Sequence, residues 1–132
     1  GDPGALPSWK EHRERSLPPS GFCTPGTVAF VGFSTRAEDC DGDGCRFHRL
    51  VPLARGEGVR VVAAESVPEG SDVALQIHER LMLEDRWATI ERGRLEETPT
   101  LRATLSAWYR LEFRVPGARA GQVVRACVET VE

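Results

Sequence analysis

Three aspartates stand on alternate residues in the run Asp39-Cys40-Asp41-Gly42-Asp43-Gly44-Cys45, which we call the aspartate loop. Carboxylates at this spacing along a tightly turning backbone can converge on one hard cation, and the closing glycine permits the sharp turn that such loops need. We therefore expect a structural calcium site with ligands from Asp39, Asp41 and Asp43 and from the carbonyl group of Cys45.

This loop does not continue as an EF-hand. Counting from Asp39, the ninth position is Phe47 and the twelfth is Leu50, where an EF-hand needs a bidentate glutamate. The sequence thus excludes a helix-flanked calcium sensor of that type. Two alternatives to calcium stay open: an acidic turn that is closed by a disulfide and holds no ion, and a zinc site made by Cys40, Cys45 and His48, which lacks a fourth ligand.

The four cysteines form an even set in a small chain, which favours disulfides and an oxidising compartment. Of the three pairings, we favour Cys40 with Cys45, because it is local, and Cys23 with Cys127, because it ties the start of the folded part to its last strand. The protein is then expected to be secreted or held in the cell envelope. Free buried thiols in a cytosolic protein are the alternative.

The length and the charge of the chain limit how many domains it can form and which partners it can bind. A chain of 132 residues accommodates one domain with a sizeable core. Because the net charge is −3 and the basic residues are scattered, nucleic acid is not an expected partner. No apolar run reaches the roughly 18 residues that a membrane span requires.

The chain divides into an arm and a domain. Residues 1–22 contain four prolines and too few apolar residues to fold alone, so we interpret them as an extended N-terminal arm. Residues 23–132 form the single folded domain.

Alternating apolar and polar residues dominate the folded part, most clearly over residues 101–115. One predicted face is apolar and contains Leu101, Ala103, Leu105, Ala107, Tyr109, Leu111, Phe113 and Val115. This period of two predicts one long strand, or two strands joined by a bend.

Further strands are predicted at residues 27–35, 49–54, 58–65, 72–80, 86–92 and 122–131, separated by turns rich in glycine and proline. Residues 77–87 are interpreted as a strand end followed by a loop. The pattern predicts an all-β, jelly-roll-like sandwich of about seven to eight antiparallel strands.

The segment 58–87, GVRVVAAESVPEGSDVALQIHERLMLEDRW, resembles the middle of bacterial prepeptidase C-terminal domains. In both, a strand, a short polar turn, an aspartate and an alternating strand follow in that order. These domains are secreted β-sandwiches that accompany extracellular enzymes, so the resemblance implies a noncatalytic accessory role. The sequence departs from the family at its end, where the usual closing strands rich in glycine and tyrosine are not obvious.

A candidate binding surface lies on the polar face of the strand segment at 101–115. Trp108 and Arg110 alternate there with buried positions, and an exposed indole between polar neighbours can support a sugar ring or a partner protein. Packing of Trp108 beneath another part of the chain is the alternative.

No arrangement of residues suggests catalysis, since the histidines lack a nucleophile nearby in sequence and the common catalytic motifs are absent. We therefore expect a noncatalytic secreted accessory or binding module, calcium-stabilised, whose partner is an extracellular polymer, a glycan or a protein. The alternative is a structural component of a cell surface or larger particle that docks through its N-terminal arm.

Overall fold

Eight strands occupy most of the described part of the chain and lie in two antiparallel sheets. The computed structural model describes Cys23 and residues 28–31, 37–65 and 67–132, of which residues 28–31 are described as backbone alone. The strands are β1 (Val28–Val31), β2 (Gly44–Leu53), β3 (Gly58–Glu65), β4 (Asp72–Leu81), β5 (Glu84–Arg94), β6 (Thr100–Arg102), β7 (Ala107–Pro116) and β8 (Arg125–Val131). Short 3-10 turns lie at Ala37–Asp39 and Leu95–Glu97.

The order of the strands is that of a jelly roll. The first sheet has the order β1-β8-β3-β6 and the second has the order β2-β7-β4-β5. The chain crosses between the sheets at every connection except the hairpin of β4 and β5, which stays in the second sheet. The predicted fold class, an all-β jelly-roll-like sandwich, is confirmed.

Alternation along the strands builds the core between the two sheets. On β7, Tyr109, Leu111 and Phe113 are buried, whereas the residues between them point away from the core. The hydroxyl of Tyr109 donates a hydrogen bond to the carbonyl oxygen of Leu105 at 2.6 Å and accepts one from its amide nitrogen at 3.1 Å. This buried hydroxyl is therefore fully satisfied and fixes the chain just before β7.

The long alternating segment at 101–115 contains two strands joined by a bend, the second of the two predicted arrangements. β6 ends at Arg102 in the first sheet and β7 begins at Ala107 in the second. Leu105 lies in the bend and is exposed, so its predicted place on the buried face is wrong. The cause is the crossing between sheets, which interrupts the period of two.

The loop predicted within residues 77–87 is shorter than expected. β4 runs to Leu81 and β5 begins at Glu84, so only Met82 and Leu83 form the turn. Their φ angles of 50° and 71° are left-handed. Hairpin turns of this kind usually carry asparagine, aspartate or glycine, which explains why the sequence did not reveal the turn.

Two disulfides are present, with the pairing that the sequence favoured. Cys23 is bonded to Cys127 of β8, and Cys40 is bonded to Cys45 of β2. The first bridge spans 104 residues, and cross-linking a loop of that length stabilises a fold by roughly 4 to 5 kcal/mol on a chain-entropy model. The two disulfides are compatible with an extracytoplasmic protein.

The predicted N-terminal arm, residues 1–22, lies outside the described residues, and so does the surface through which an assembly component would dock. Within the ranges that the structure describes, no helix has the length and apolar character needed to cross a membrane.

Candidate functional site

The surface of the second sheet that faces away from the core carries the charged and aromatic side chains of four strands, and we call it the outer face. Residues that pair across antiparallel strands share a face, so the register arranges these side chains in rows across the sheet. Three rows cross all four strands: Arg46, Arg114, Asp72 and Arg94; His48, Glu112, Ala74 and Arg92; and Leu50, Arg110, Gln76 and Thr89. At one end of the face, Pro52 pairs with Trp108 and His78 pairs with Trp87.

Glu112 is the centre of the outer face and is only 6% exposed. Its Oε2 atom lies 3.0 Å from Nε2 of His48 and 3.9 Å from an Nη atom of Arg110. Its Oε1 atom lies 3.7 Å from an Nη atom of Arg92. A carboxylate that is buried on a sheet face thus has three neighbouring groups that can carry positive charge.

These neighbours hold Glu112 in its ionised form. The hydrogen bond with His48 lowers the pKa of the Glu112 carboxyl group, and the charges of His48, Arg46 and Arg110 lower it further. Burial acts in the opposite direction, because a low dielectric disfavours the charged form, but the net change is downward. Glu112 is therefore a fixed anionic hydrogen-bond acceptor at neutral pH.

Arg110 connects this charged centre to the residues Trp108, His78 and Trp87 at one end of the face, which we call the aromatic row. Its Nε atom donates a hydrogen bond to Oε1 of Gln76 at 2.8 Å, and its guanidinium carbon lies 4.8 Å from the ring centroid of Trp87. Gln76 in turn donates from Nε2 to Oγ1 of Thr89 at 3.2 Å. The guanidinium is therefore held in place by a hydrogen bond, a cation–π contact and a nearby carboxylate.

The aromatic row lies at one end of the outer face. Trp87 and His78 pack edge to face, with ring centroids 5.5 Å apart and an interplanar angle of 68°. Nε2 of His78 also lies 3.3 Å from Oδ1 of Asp85. Trp108 is 39% exposed and lies on β7, and β4 separates that strand from β5, which carries Trp87. The strands of the two indoles are therefore about two strand spacings, or roughly 10 Å, apart.

The aspartate loop is closed by its own backbone and by the Cys40–Cys45 disulfide. The amide nitrogen of Asp41 donates to the carbonyl oxygen of Gly44 at 2.8 Å. In return, Oδ1 of Asp41 accepts hydrogen bonds from the amide nitrogens of Asp43, at 2.8 Å, and Gly44, at 3.1 Å. These bonds lower the pKa of Asp41 and make its carboxylate a cap for the turn.

Gly44 lets the aspartate loop lie against β7. A Cβ atom at this position would collide with the carbonyl oxygen of Val115 and crowd Pro116 and Gly117. The amide nitrogen of Gly117 donates to the carbonyl oxygen of Asp43 at 2.7 Å, which joins the loop to the end of β7. The glycine that sequence reasoning assigned to a sharp turn is thus also required by close packing.

A groove with a volume of about 470 Å³ separates the aspartate loop from the outer face. Its walls contain carboxylates of the loop, including Asp39, Asp41 and Asp43, and its lining also includes Arg46, Arg110 and Arg114. The charges of Arg114 and Arg46 lower the pKa of Asp41, and the charge of Asp39 acts on Arg110. Arginines of the sheet therefore compensate the carboxylates of the loop.

The structure contradicts the predicted zinc site but does not test the predicted calcium site. The zinc interpretation is wrong, because Cys40 and Cys45 are joined in a disulfide and cannot act as thiolate ligands. Calcium binding by Asp39, Asp41, Asp43 and the Cys45 carbonyl was expected from the sequence, and the geometry leaves it untested. Over the ranges with described side chains, no group of three or more histidine, cysteine, aspartate and glutamate residues is placed to hold a metal ion.

Trp108 and Arg110, the predicted ligand-binding residues, lie on the outer face as expected for alternate positions of β7. The sequence did not indicate that Glu112 and His48 belong to the same surface. Their only signal in the sequence was their polar or aromatic character at alternate positions, and the register of four strands was needed to bring them together.

Comparisons with known proteins do not assign the chain to a family. A scan against protein-family models, a search of curated proteins and a search of solved structures each give no match. Function is therefore inferred from the residues of this chain, and the resemblance of residues 58–87 to prepeptidase C-terminal domains stays an expectation.

Proposed function

We propose that this domain is a noncatalytic glycan-binding module of an exported protein, and that the outer face of the second sheet is its binding surface. The observation that carries the proposal is the buried, ionised Glu112, whose network holds Arg110 against Trp87 beside the exposed Trp108.

The Glu112 network costs free energy, because its charged groups are partly removed from water. Removing a charge from water costs several kcal/mol, and pairs of apolar residues at such positions often stabilise a fold as well or better. A sheet face whose only role is to meet water does not need a carboxylate that is almost fully buried. Such a cost is expected where donors and acceptors must be held rigid, so that a ligand binds without further ordering of side chains.

The chemistry of the outer face suits an uncharged sugar chain. An indole such as that of Trp108 offers a flat apolar platform for a sugar ring, while the guanidinium of Arg110, which is oriented by Gln76, offers hydrogen bonds to hydroxyl groups. The charges nearby are compensated within the protein, since Arg110 and Arg92 lie near Glu112, and His78 lies near Asp85. The five arginines of the outer face exceed its two carboxylates, Asp72 and Glu112, but Glu96 and the three aspartates of the aspartate loop lie beside them. Taken together, these groups give no large excess of one sign that would favour a polyanion or a polycation.

The state of Glu112 supports a binding role over a catalytic one. A general acid that acts at neutral pH needs a raised pKa, so that it holds a proton to donate. The pKa of Glu112 is instead lowered, and its oxygens are occupied by His48 and the two arginines. We assign to Glu112 the positioning of these side chains.

The remaining parts of the proposal come from the cysteines and from the resemblance. Two disulfides favour an oxidising compartment, and the resemblance implies an accessory domain of an extracellular enzyme. We leave calcium out of the proposed mechanism, because Asp41 already caps its own turn and the arginines of the sheet compensate the aspartate loop.

Affinity electrophoresis in gels that contain cellulose derivatives, starch, xylan or galactomannan tests the proposal directly, with polygalacturonate and chitosan as charged comparisons. We expect retardation by at least one neutral polymer, and about tenfold weaker binding after Trp108→Ala. Val62→Ala is the matched control, because Val62 is 38% exposed, against 39% for Trp108, and lies on β3 of the other sheet. Equal retardation of Trp108→Ala and wild type, or retardation by charged polymers alone, would contradict the proposal.

A further inference from the structure

The groove between the aspartate loop and the outer face has charged side chains of both signs in its two walls. Its volume of about 470 Å³ lies in the range of pockets that hold small molecules. The loop wall carries the carboxylates of Glu38, Asp39, Asp41 and Asp43. The sheet wall carries three arginines, one histidine and two further carboxylates, so ten charged or titratable groups line the groove.

Half of these ten groups already have a close partner. Glu112 lies within 4.0 Å of both His48 and Arg110. Asp41 accepts hydrogen bonds from two amides of its own turn, and Glu38 interacts with a further group. These contacts account for five of the ten groups.

The other five groups are Asp39, Asp43, Asp72, Arg46 and Arg114. Within the described part of the chain, none of them has a group of opposite charge within 4.0 Å. Asp39 and Asp43 belong to the loop wall, whereas Arg46 and Arg114 belong to the sheet wall. Opposite charges therefore lie on the two sides of the groove without forming ion pairs across it.

The two arginines are directly paired with each other in the register of β2 and β7. Like charges opposite each other on adjacent strands destabilise a sheet. Asp72 follows in the same row, opposite Arg114, but it does not approach either guanidinium to ion-pair distance. Two neighbouring guanidinium groups without a contacting carboxylate offer the forked donors that bind a carboxylate or phosphate group.

The loop wall limits which anion can bind to these arginines. An anion without a positive charge of its own would be repelled by Asp39, Asp41 and Asp43 across the groove. A simple cation at the aspartates would in turn be repelled by Arg46 and Arg114. Among the side chains that the structure describes, no cluster is placed to hold a metal ion. The two walls together favour a ligand that carries both charges.

We propose that this groove binds a small zwitterion. Its anionic group lies against Arg46 and Arg114, and its ammonium group lies against Asp39 and Asp43. Amino acids and short peptides carry these two charges with a carboxylate as the anion. The headgroups of zwitterionic phospholipids carry them with a phosphodiester instead.

The two walls are joined in a way that fixes their separation. The Cys40–Cys45 disulfide closes the loop, and the amide nitrogen of Gly117 donates to the carbonyl oxygen of Asp43 at 2.7 Å. Gly117 directly follows β7, the strand that carries Arg114. A ligand between the walls thus binds without ordering the backbone, which favours affinity.

The groove borders the proposed sugar surface but does not depend on it. Arg110 and Glu112 line the groove, whereas Trp108 does not. The proposal therefore does not rest on sugar binding. We expect Trp108→Ala to bind a zwitterion as the wild type does, even where it no longer binds a sugar polymer.

NMR titration of the whole chain with glycylglycine tests the need for both charges. N-acetylglycylglycine lacks the ammonium group and glycylglycinamide lacks the carboxylate, so we expect each to bind at least about tenfold more weakly. Glycerophosphocholine distinguishes the two sources: tighter binding of this compound assigns the groove to a lipid headgroup, and tighter binding of glycylglycine assigns it to a peptide. Equal affinity for glycylglycine and its two analogues, or no binding of either zwitterion, overturns the proposal.

Arg114→Gln removes one charge from the sheet wall, and we expect at least about tenfold weaker binding of the preferred zwitterion. Arg119→Gln is the matched control, because Arg119 is also exposed but does not line the groove. Thermal melts check that both variants fold. Unchanged affinity of Arg114→Gln, or an equal loss in the control, contradicts a site at the arginine pair.

The double variant Asp39→Asn with Asp43→Asn makes the same test of the loop wall, and we expect a loss of similar size. Glu96→Gln with Glu97→Gln is its control, since both glutamates are exposed and lie outside the groove. Full affinity of the aspartate variant would overturn the assignment of the ammonium group. The comparison of glycylglycine with its analogues uses the wild type, so it decides the proposal even if a variant fails to fold.

Discussion

Nε2 of His48 on β2 lies 3.0 Å from Oε2 of Glu112 on β7, and these two residues are directly paired in the register of the second sheet. The pairing places the imidazole over a carboxylate that is almost removed from water. Because Glu112 also neighbours Arg92 of β5 and Arg110 of its own strand, one carboxylate connects three strands of the outer face. Arg110 in turn lies 4.8 Å from the ring centroid of Trp87, so the contact of His48 with Glu112 belongs to a network that reaches the aromatic residues.

The first prediction concerns the pH dependence of stability. The pKa of Glu112 is lowered in the folded protein from its ordinary value of 4.5, so the folded state binds this proton less readily than the unfolded chain. The contribution of Glu112 is therefore complete above the unfolded pKa, and it is lost as the pH falls below about 4.5 toward the folded pKa. Thermal melts between neutral and acid pH should show this loss.

Glu112→Gln is the variant that isolates this contribution. It keeps the shape of the side chain but leaves Arg92 and Arg110 without their shared carboxylate, so we expect a loss of about 1 to 3 kcal/mol at neutral pH. The difference between wild type and variant should shrink in acid. A difference that stays constant from neutral to acid pH would contradict the lowered pKa.

The second prediction compares two glycines of the aspartate loop. Gly44→Ala should destabilise the fold by about 2 kcal/mol or more, because its Cβ atom would collide with backbone atoms of β7. Gly42→Ala is the matched control, since no atom outside its chain neighbours lies within 4 Å of a Cβ built there. Urea unfolding of both variants measures the difference, and equal midpoints would contradict the close packing of the loop on β7.

The third prediction concerns the disulfides. Replacing Cys23 and Cys127 by alanine removes a cross-link over 104 residues and should cost roughly 4 to 5 kcal/mol. Replacing Cys40 and Cys45 removes one over 5 residues and should cost roughly 2 kcal/mol on the same model. Mass spectrometry under denaturing conditions before and after reduction checks that both bonds form. Four alkylated cysteines without reduction would contradict both pairings and the exported location.

The fourth prediction concerns calcium. The aspartate loop is already held by a disulfide, by the cap of Asp41 and by arginines of the sheet, so we expect the same thermal midpoint in calcium and in chelator. Asp43→Asn, at an exposed position, should behave like the wild type in both. A midpoint that rises by several degrees with calcium, and no longer does so in Asp43→Asn, would establish the loop as an ion site.

The sequence predicted those features that local periodicity and chain connectivity control. Alternation at Val73, Leu75 and Ile77 reveals β4 because each residue of a strand faces the opposite side from its neighbour. The favoured pairing of Cys23 with Cys127 followed from the place of β8 at the end of the chain. Both inferences need no knowledge of which strands are adjacent.

The network of the outer face could not be predicted, because it depends on register. His48 and Glu112 are 64 residues apart, and a slip of one position between β2 and β7 would separate them. The turn at Met82 and Leu83 escaped detection for another reason, since its residues contradict the usual turn chemistry. Leu105 fits the alternating pattern but is exposed, because it lies where the chain crosses from the first sheet to the second.

The bond between Cys23 and Cys127 also determines how the domain would respond to a pulling force. If tension is applied between residues that precede Cys23 and residues that follow Cys127, the shortest covalent path runs through the sulfur bridge. Residues 24–126 then carry none of the load. They contain the whole of β1 to β7 and the first two residues of β8. Residues 128–131 of β8 lie on that path, so tension can detach the end of β8 from β3, whereas the second sheet and its outer face carry none of the load.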